Sequence, residues 1–356
     1  MEENIEDMEN TEDTYDLLEI LNKLLVTKQY SDIAKNINVA VGTIKRWKEL
    51  RNVPKAYTFE LLKLADIKIE YSNFTYKEKY QFFTPLAAAE YCYSTFIKTI
   101  NKYGDHENNY TFIEPSAGTG VFLNLLPKER RLGFDVEPKN SEIIKQDYLD
   151  WKPPSNAKKY IVIGNPPFGL RGQLALKFIN HSSHFADYVC FILPQLFESD
   201  GKGVPRKRVN QLNLIHSEKL NTNFESPDGK IISVQCIFQV WSKFKKNDIY
   251  EISENISQNI TVYSLSDGGT PSTTRNKNMF YKCDVYLPST CFGKDNMKFY
   301  DSFNTLPRKK GYGIVFLKNK KRNLSKFKKI DWSNIAFLST NSAYNISSSQ
   351  IMAQFM

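Results

Sequence analysis

The chain has 356 residues, 41% of them hydrophobic, with a formal charge of +9. That is enough apolar material for one large core and one or two smaller ones, so two or three domains are expected. No run approaches the ~18 consecutive apolar residues of a membrane span, and the opening Met1-Glu2-Glu3-Asn4-Ile5-Glu6-Asp7 is acidic where a signal peptide is basic, so a cytosolic or nuclear protein without a membrane partner is expected. Five cysteines, Cys92, Cys190, Cys236, Cys283 and Cys291, form no CxxC pair and no histidine cluster. They read as core thiols and argue against a disulfide framework and a bound metal.

Charge is spread unevenly. Residues 1–20 hold nine acids and no base. The densest basic run is Arg308, Lys309, Lys310, Lys318, Lys320, Lys321, Arg322, Lys326, Lys328 and Lys329, interleaved with Tyr312, Phe316 and Phe327. Such a run suits a phosphate backbone, where each neutralised phosphate releases counterions; a solvated lysine-rich surface is the other reading.

Residues 14–70 read as short helices with apolar spacing near 3.6. Ile33, Ala34 and Ile37 would face inward on a helix capped by Ser31 or Asp32, Asn38-Val39 would turn the chain, and Ile44 and Trp47 would anchor a second helix from about Val41. This resembles a helix-turn-helix that presents Thr43, Lys45 and Arg46 to DNA; a packing or dimerisation module is the alternative.

From about 75 the pattern becomes strands alternating with helices, the signature of a parallel sheet covered on both faces. Residues 110–113, 131–134, 160–163 and 188–193 are the expected buried strands, and 231–241 an antiparallel edge strand. Beyond 245 the alternation stops. The expected organisation is a helix-turn-helix domain behind an acidic lead (1–72), an α/β catalytic domain (73–245) and a mixed α+β recognition domain (246–356).

The chemistry-bearing segments fall at strand ends. Phe112-Ile113-Glu114-Pro115-Ser116-Ala117-Gly118-Thr119-Gly120 is a strand followed by a glycine turn, which is expected to open into a helix over 121–126. The third glycine of a dinucleotide fingerprint is missing, and Glu114 would repel a pyrophosphate while suiting a cation such as the methionine end of S-adenosylmethionine. Asp135, at the tip of the next strand, can accept from two ribose hydroxyls. Asp147 is placed to accept from an adenine amine. In Ile161-Val162-Ile163-Gly164-Asn165-Pro166-Pro167-Phe168 two prolines stiffen the backbone and remove two donors, so the Pro166 carbonyl and the Asn165 side-chain oxygen can serve one exocyclic amine. Phe168 can stack on the base that carries it, and Phe224 is a candidate second wall.

These motifs resemble the amino-methyltransferases of DNA, with Glu114–Gly120 as the cofactor motif and Asn165–Phe168 as the catalytic one. The resemblance covers about 75–245. It implies a Rossmann-like S-adenosylmethionine-dependent methyltransferase fold, and Gln81-Phe82-Phe83-Thr84-Pro85 is similar to the motif that precedes the glycine turn. On this resemblance the cofactor is lined by Phe83, Thr84, Pro85, Glu114, Ser116, Gly118, Gly120, Asp135, Val136, Asp147 and Tyr148, with Thr84 at its carboxylate. The target amine meets Asn165 and Pro166, and Pro167 and Phe168 complete the catalytic set. Gly164 follows Asp147 by only 17 positions, while more than a hundred residues follow 241, which is the gamma order of motifs, with recognition last. Asn-Pro-Pro-Phe in that order implies adenine N6 in double-stranded DNA, extruded from the helix. Asp267-Gly268-Gly269-Thr270-Pro271-Ser272-Thr273-Thr274 and residues 337–345 are similar to target recognition domains of type I restriction specificity subunits, which allows a cognate restriction endonuclease as partner. Lys309, Lys310, Lys320, Lys321 and Arg322 are the candidate DNA contacts there. Enzymes that methylate a protein glutamine amide or guanine N2 of RNA, and a DNA-binding regulator built on a decayed methyltransferase, are the competing readings.

Overall fold

A computed structural model describes residues 15–154, 158–199, 204–252, 256–271, 273–338 and 343–356. The acidic lead through residue 14, Ser272 in the Gly-Gly-Thr-Pro segment and residues 339–342 of the tail lie outside the described residues.

The chain divides into two compact units, Met1–Gln81 and Phe82–Met356. The boundary thus falls nine residues later than expected, because residues 73–81 belong with the helices. The first unit holds α1 (Leu17–Thr27), α2 (Tyr30–Asn36), α3 (Val41–Glu49) and α4 (Thr58–Leu64). Leu21, Ile33, Ile44, Leu61 and Leu62 are fully buried in one small core, with Ile37 and Trp47 at its edge. The start of α2 differs from expectation. Gln29 is its cap, paired reciprocally with Asp32 three residues on, while Ser31 lies inside the helix. Asn38 takes a left-handed φ of 57° to make the turn.

In the second unit α5 (Leu86–Asn101) precedes β1 (Tyr110–Glu114), β2 (Arg131–Asp135), β3 (Ile144–Lys145) and β4 (Lys159–Gly164). Then come α6 (Gln173–Ser182), β5 (Ala186–Pro194), β6 (Asn213–Leu220), β7 (Asn223–Glu225), β8 (Ile231–Ser233) and β9 (Cys236–Ser242). The sheet order is β3-β2-β1-β4-β5-β9-β6. The first five of these are parallel, and β9 runs antiparallel between β5 and β6. This is the Rossmann-like α/β fold expected of a methyltransferase domain. β4, β5 and β9 are almost wholly buried, which is why they read as continuous apolar runs. On α5, Ala88, Ala89, Cys92, Phe96 and Ile100 form the buried stripe.

The expected strand over 231–241 is in fact two. Residues 231–233 pair with β7 in a hairpin, and 236–242 enter the main sheet between two neighbours instead of at its edge. The edge position belongs to β6, whose mixed burial carries no clean two-residue period.

Residues beyond 256 form β10 (Ile260–Ser266), β11 (Val285–Pro288), β12 (Thr290–Phe292), β13 (Lys310–Phe316), α7 (Lys320–Lys329), α8 (Trp332–Ile335), β14 (Phe337–Leu338), β15 (Ala343–Asn345) and α9 (Ser348–Ala353). They make two three-stranded antiparallel sheets, β10-β13-β11 and β12-β15-β14. This α+β region has its own core around Phe327, Trp332 and Phe355. It nevertheless groups with the large sheet as one compact unit, so the expected break at 245 is not a unit boundary. No helix among the described residues is long and apolar enough to cross a membrane.

Candidate active site

The parallel order of β3, β2, β1 and β4 aligns four carboxyl ends side by side. Glu114 is the last residue of β1, Asp135 the last of β2, Asp147 follows β3 by two residues, and Asn165 directly follows β4. Open α/β sheets bind ligands along this edge.

The glycine turn is fixed by the acids around it. Gly118 (φ 51°) donates its amide to Asp135 Oδ2 at 2.7 Å, and Glu137 donates to Asp135 Oδ1 at 2.8 Å. A carboxylate has about four lone-pair positions, so Asp135 keeps capacity for further donors. Burial raises its pKa, against the two backbone amides that lower it. Glu114 is 3% exposed and accepts from the Leu123 amide at 2.6 Å. Burial pushes its pKa well above the usual carboxylate range, and its bond to the Leu123 amide fastens the turn. The expected helix over 121–126 is only a single 3-10 turn, Leu123–Leu125.

Phe83 lies over this turn: a Cβ at Gly118 would stand 3.5 Å from its ring. Phe83 is itself held by two backbone hydrogen bonds to Glu225 in β7, at 2.7 and 3.0 Å. A side chain at 118 would thus rest against the ring, and the positive φ favours glycine there. The remaining acceptor capacity of Asp135, next to Val136 at the end of β2, suits a hydroxyl-bearing ligand such as a ribose. Asp147 caps a 3-10 turn by accepting from the Leu149 amide at 2.9 Å. Tyr148 departs from expectation. It is 1% exposed, its hydroxyl bonds Ser182 at 2.6 Å, and it packs on Phe178 and Trp151. Its alternation with Asp147 turns it into the core.

Asn165 is gripped from three directions. Ser116 Oγ donates to its backbone carbonyl at 3.0 Å, and its Nδ2 donates to Thr84 Oγ1 at 3.1 Å and to the Phe82 carbonyl at 3.4 Å. A carbonyl only accepts, so Phe82 fixes which end of the amide is nitrogen. The other end, Oδ1, is buried and has no partner. Thr84, 8% exposed, so serves as the brace of Asn165, a role the sequence reading missed. Pro85 begins α5 as its N-cap. The Pro166 carbonyl carries no hydrogen bond among the described residues. Phe168 is 8% exposed and packs into the main core, as does Phe224 at 2%; neither presents an open stacking face.

The remaining expected contacts lie elsewhere. Lys45 and Arg46 are exposed on α3 and Thr43 is half-buried. Lys309 and Lys310 sit at the start of β13 and Lys320, Lys321 and Arg322 on the first turn of α7 beyond its end. Seven antiparallel residues span roughly 20 Å, so the basic run makes two sites rather than one patch. Lys320 is committed to Asp284, 2.6 Å away. Among the described residues no group of histidine, cysteine, aspartate or glutamate is arranged to hold a metal.

No family model matches the chain, and no curated protein does. Among solved structures it is similar to a Pyrococcus horikoshii protein assigned as an RNA methyltransferase, 19% identical over 46% of this chain and 86% of the other, with a TM-score of 0.35. It is similar to the 23S rRNA methyltransferase ErmE, 11% identical over 48% and 73%, TM-score 0.32. A chain from a type I R-M system is 12% identical over 74% and 67%, TM-score 0.32. These likenesses add nothing to the sheet order and site geometry already described.

Proposed function

We propose that this chain is an S-adenosylmethionine-dependent methyltransferase that modifies N6 of an extruded adenine in double-stranded DNA. The observation that carries the reading is the buried, unpartnered Oδ1 of Asn165, held at the end of β4 beside the three acids of β1 to β3. A buried acceptor without a donor costs about 1–3 kcal/mol, and a ligand N–H relieves it.

An exocyclic amine has two N–H groups. One meets Asn165 Oδ1 and the other the Pro166 carbonyl, which draws the nitrogen toward tetrahedral geometry and frees its lone pair. Thr84 and Ser116 hold Asn165 in place, so the acceptors are positioned before the substrate arrives. Asp135 would take the ribose hydroxyls and Asp147 the adenine amine of the cofactor. When bound, the cofactor supplies an electrophilic methyl group on a positively charged sulfur. The proton released by the amine passes to solvent. Phe168 is packed in the core and presents no open face for the base to stack on.

DNA as the substrate is supported by the exposed Lys45 and Arg46 on a helix-turn-helix and by exposed Lys309, Lys310, Lys321 and Arg322. A base stacked in a duplex cannot reach Asn165, so 2-aminopurine at the target should brighten on binding. The test is incubation of the full chain with labelled S-adenosylmethionine and unmethylated genomic DNA, then nucleoside mass spectrometry. N6-methyladenine from the native chain and none from Asn165→Ala is the expected outcome. Label in RNA or protein alone would overturn the DNA substrate and favour a guanine-N2 or glutamine-amide acceptor.

A further inference from the structure

Directly after Phe168 the chain turns through Gly169 (φ 67°), Leu170, Arg171 (φ 53°) and Gly172 (φ 71°) before entering α6. Left-handed backbone is ordinary for the two glycines, but at Arg171 it sets the Cβ against its own carbonyl. The side chains at the tip of the turn do not pack to hold it there. Leu170 is 39% exposed, and Arg171 is exposed with no hydrogen bond or ion pair among the described residues. A strained residue that contributes nothing to the core is the kind that function maintains.

The turn is held in place from behind. A Cβ at Gly172 would stand 2.9 Å from Phe197, 3.4 Å from Pro194 and 3.5 Å from Pro205. Pro205 opens the basic turn Pro205–Arg208, in which Arg208 Nη1 donates to Gln173 Oε1 at 3.2 Å and Arg206 Nε to the Ser199 carbonyl at 2.9 Å. Lys207 is exposed between them. Glu198, the neighbouring acid, accepts from Ser217 at 3.2 Å. The segment next to Asn165 therefore carries a concentration of cations at the end of the sheet where a base would enter.

We infer that Arg171 binds nucleic acid: its guanidinium, backed by the turn Pro205–Arg208, takes a backbone phosphate of the strand whose base is held at Asn165. This deepens the function proposed above and rests on it. An extruded nucleotide carries a phosphate on each side of its sugar, within a few bonds of the base, and a guanidinium meets phosphate oxygens in pairs.

Arg171→Gly is the informative variant, because glycine accepts the left-handed φ and removes only the side chain. The full chain is titrated by fluorescence anisotropy with a labelled 30-bp duplex carrying an adenine opposite an abasic position, over a series of salt concentrations. Arg171→Gly should unfold at a temperature no lower than the native chain, bind the duplex several-fold more weakly, and show a log–log salt slope smaller by about 0.9, the loss of one phosphate contact. Arg171→Lys should keep the slope. Unchanged affinity and slope in Arg171→Gly, in a native chain that binds and methylates DNA, overturns this inference alone. A native chain that binds no duplex removes the DNA substrate as well, whereas methyl transfer to another acceptor would still register in the labelling assay.

Discussion

At the ends of β1, β2 and β3 each acid already holds a backbone amide, Glu114 that of Leu123, Asp135 those of Gly118 and Glu137, and Asp147 that of Leu149. At the end of β4, Asn165 is braced on its nitrogen and its backbone but keeps a buried oxygen with no partner. The two halves of one sheet edge thus solve different problems. In the first every acid is fastened to a backbone amide, with Asp135 keeping room for further donors, while in the second a buried oxygen has no partner among the described residues. A buried polar group left short calls for an explanation, and at the carboxyl end of a parallel strand a ligand donor supplies one.

The comparison can be broken at several points. Asn165→Ala removes the open acceptor and should lower kcat by about 100- to 1,000-fold, as loss of a positioned transition-state partner does, with cofactor affinity unchanged in equilibrium binding. Loss of both activity and cofactor binding would mean that the two halves are not separable. Asp135→Ala removes a carboxylate that holds the loop and, on the proposed function, the cofactor ribose. At about 1.5–3 kcal/mol for a charged hydrogen bond, cofactor Kd measured by calorimetry should rise by one to two orders of magnitude.

Thr84→Val keeps the shape but takes away the acceptor for Asn165 Nδ2. About 1 kcal/mol for a neutral hydrogen bond predicts a several-fold fall in kcat with little change in KM, recovered by Thr84→Ser. An equal fall in Thr84→Ser would assign the effect to packing.

Glu114→Gln should have the smallest effect on activity and the sharpest signature in pH. Burial raises the folded pKa of Glu114 above its ordinary 4.5. Above 4.5 the unfolded chain has lost a proton that the folded chain retains, so this contribution to stability is full below 4.5 and falls as pH rises toward the folded value. The thermal midpoint of the native chain should therefore fall relative to that of Glu114→Gln as pH increases, since glutamine still accepts from Leu123 and does not titrate. Parallel curves would mean that Glu114 is ionised in the fold.

The sheet was legible in the sequence where burial made strands apolar on both faces, as at Ile161–Ile163 and Tyr188–Leu193. It was illegible at β6, whose order Asn213-Leu214-Ile215-His216-Ser217-Glu218-Lys219-Leu220 mixes polar and apolar residues at an edge, and at 231–241, where one run of β-formers serves two sheets. The acids and Asn165 could be placed because strand ends are visible in a chain. The direction of Tyr148 could not, since a one-residue alternation decides whether a ring meets ligand or core. The brace from Thr84 to Asn165 spans 81 positions, and no local pattern announces a hydrogen bond between two loops. Arg171 was passed over because its signal is its backbone angle.

The place of β9 has a consequence for how the molecule is made. β5 pairs with β4 on one side and on the other waits for a strand that ends at Ser242, 48 residues past its own end at Pro194. At roughly 5–20 residues per second of synthesis, a newly emerging chain holds the unpaired edge of an almost wholly buried strand for roughly 2–10 s. During that interval β6 is made but has no neighbour to join, because its partner in the sheet, β9, follows it in the chain. An exposed flat edge of this kind recruits other chains. The nascent protein is thus most vulnerable to aggregation while residues 195–242 are being translated, and a slow stretch of message there would prolong the hazard.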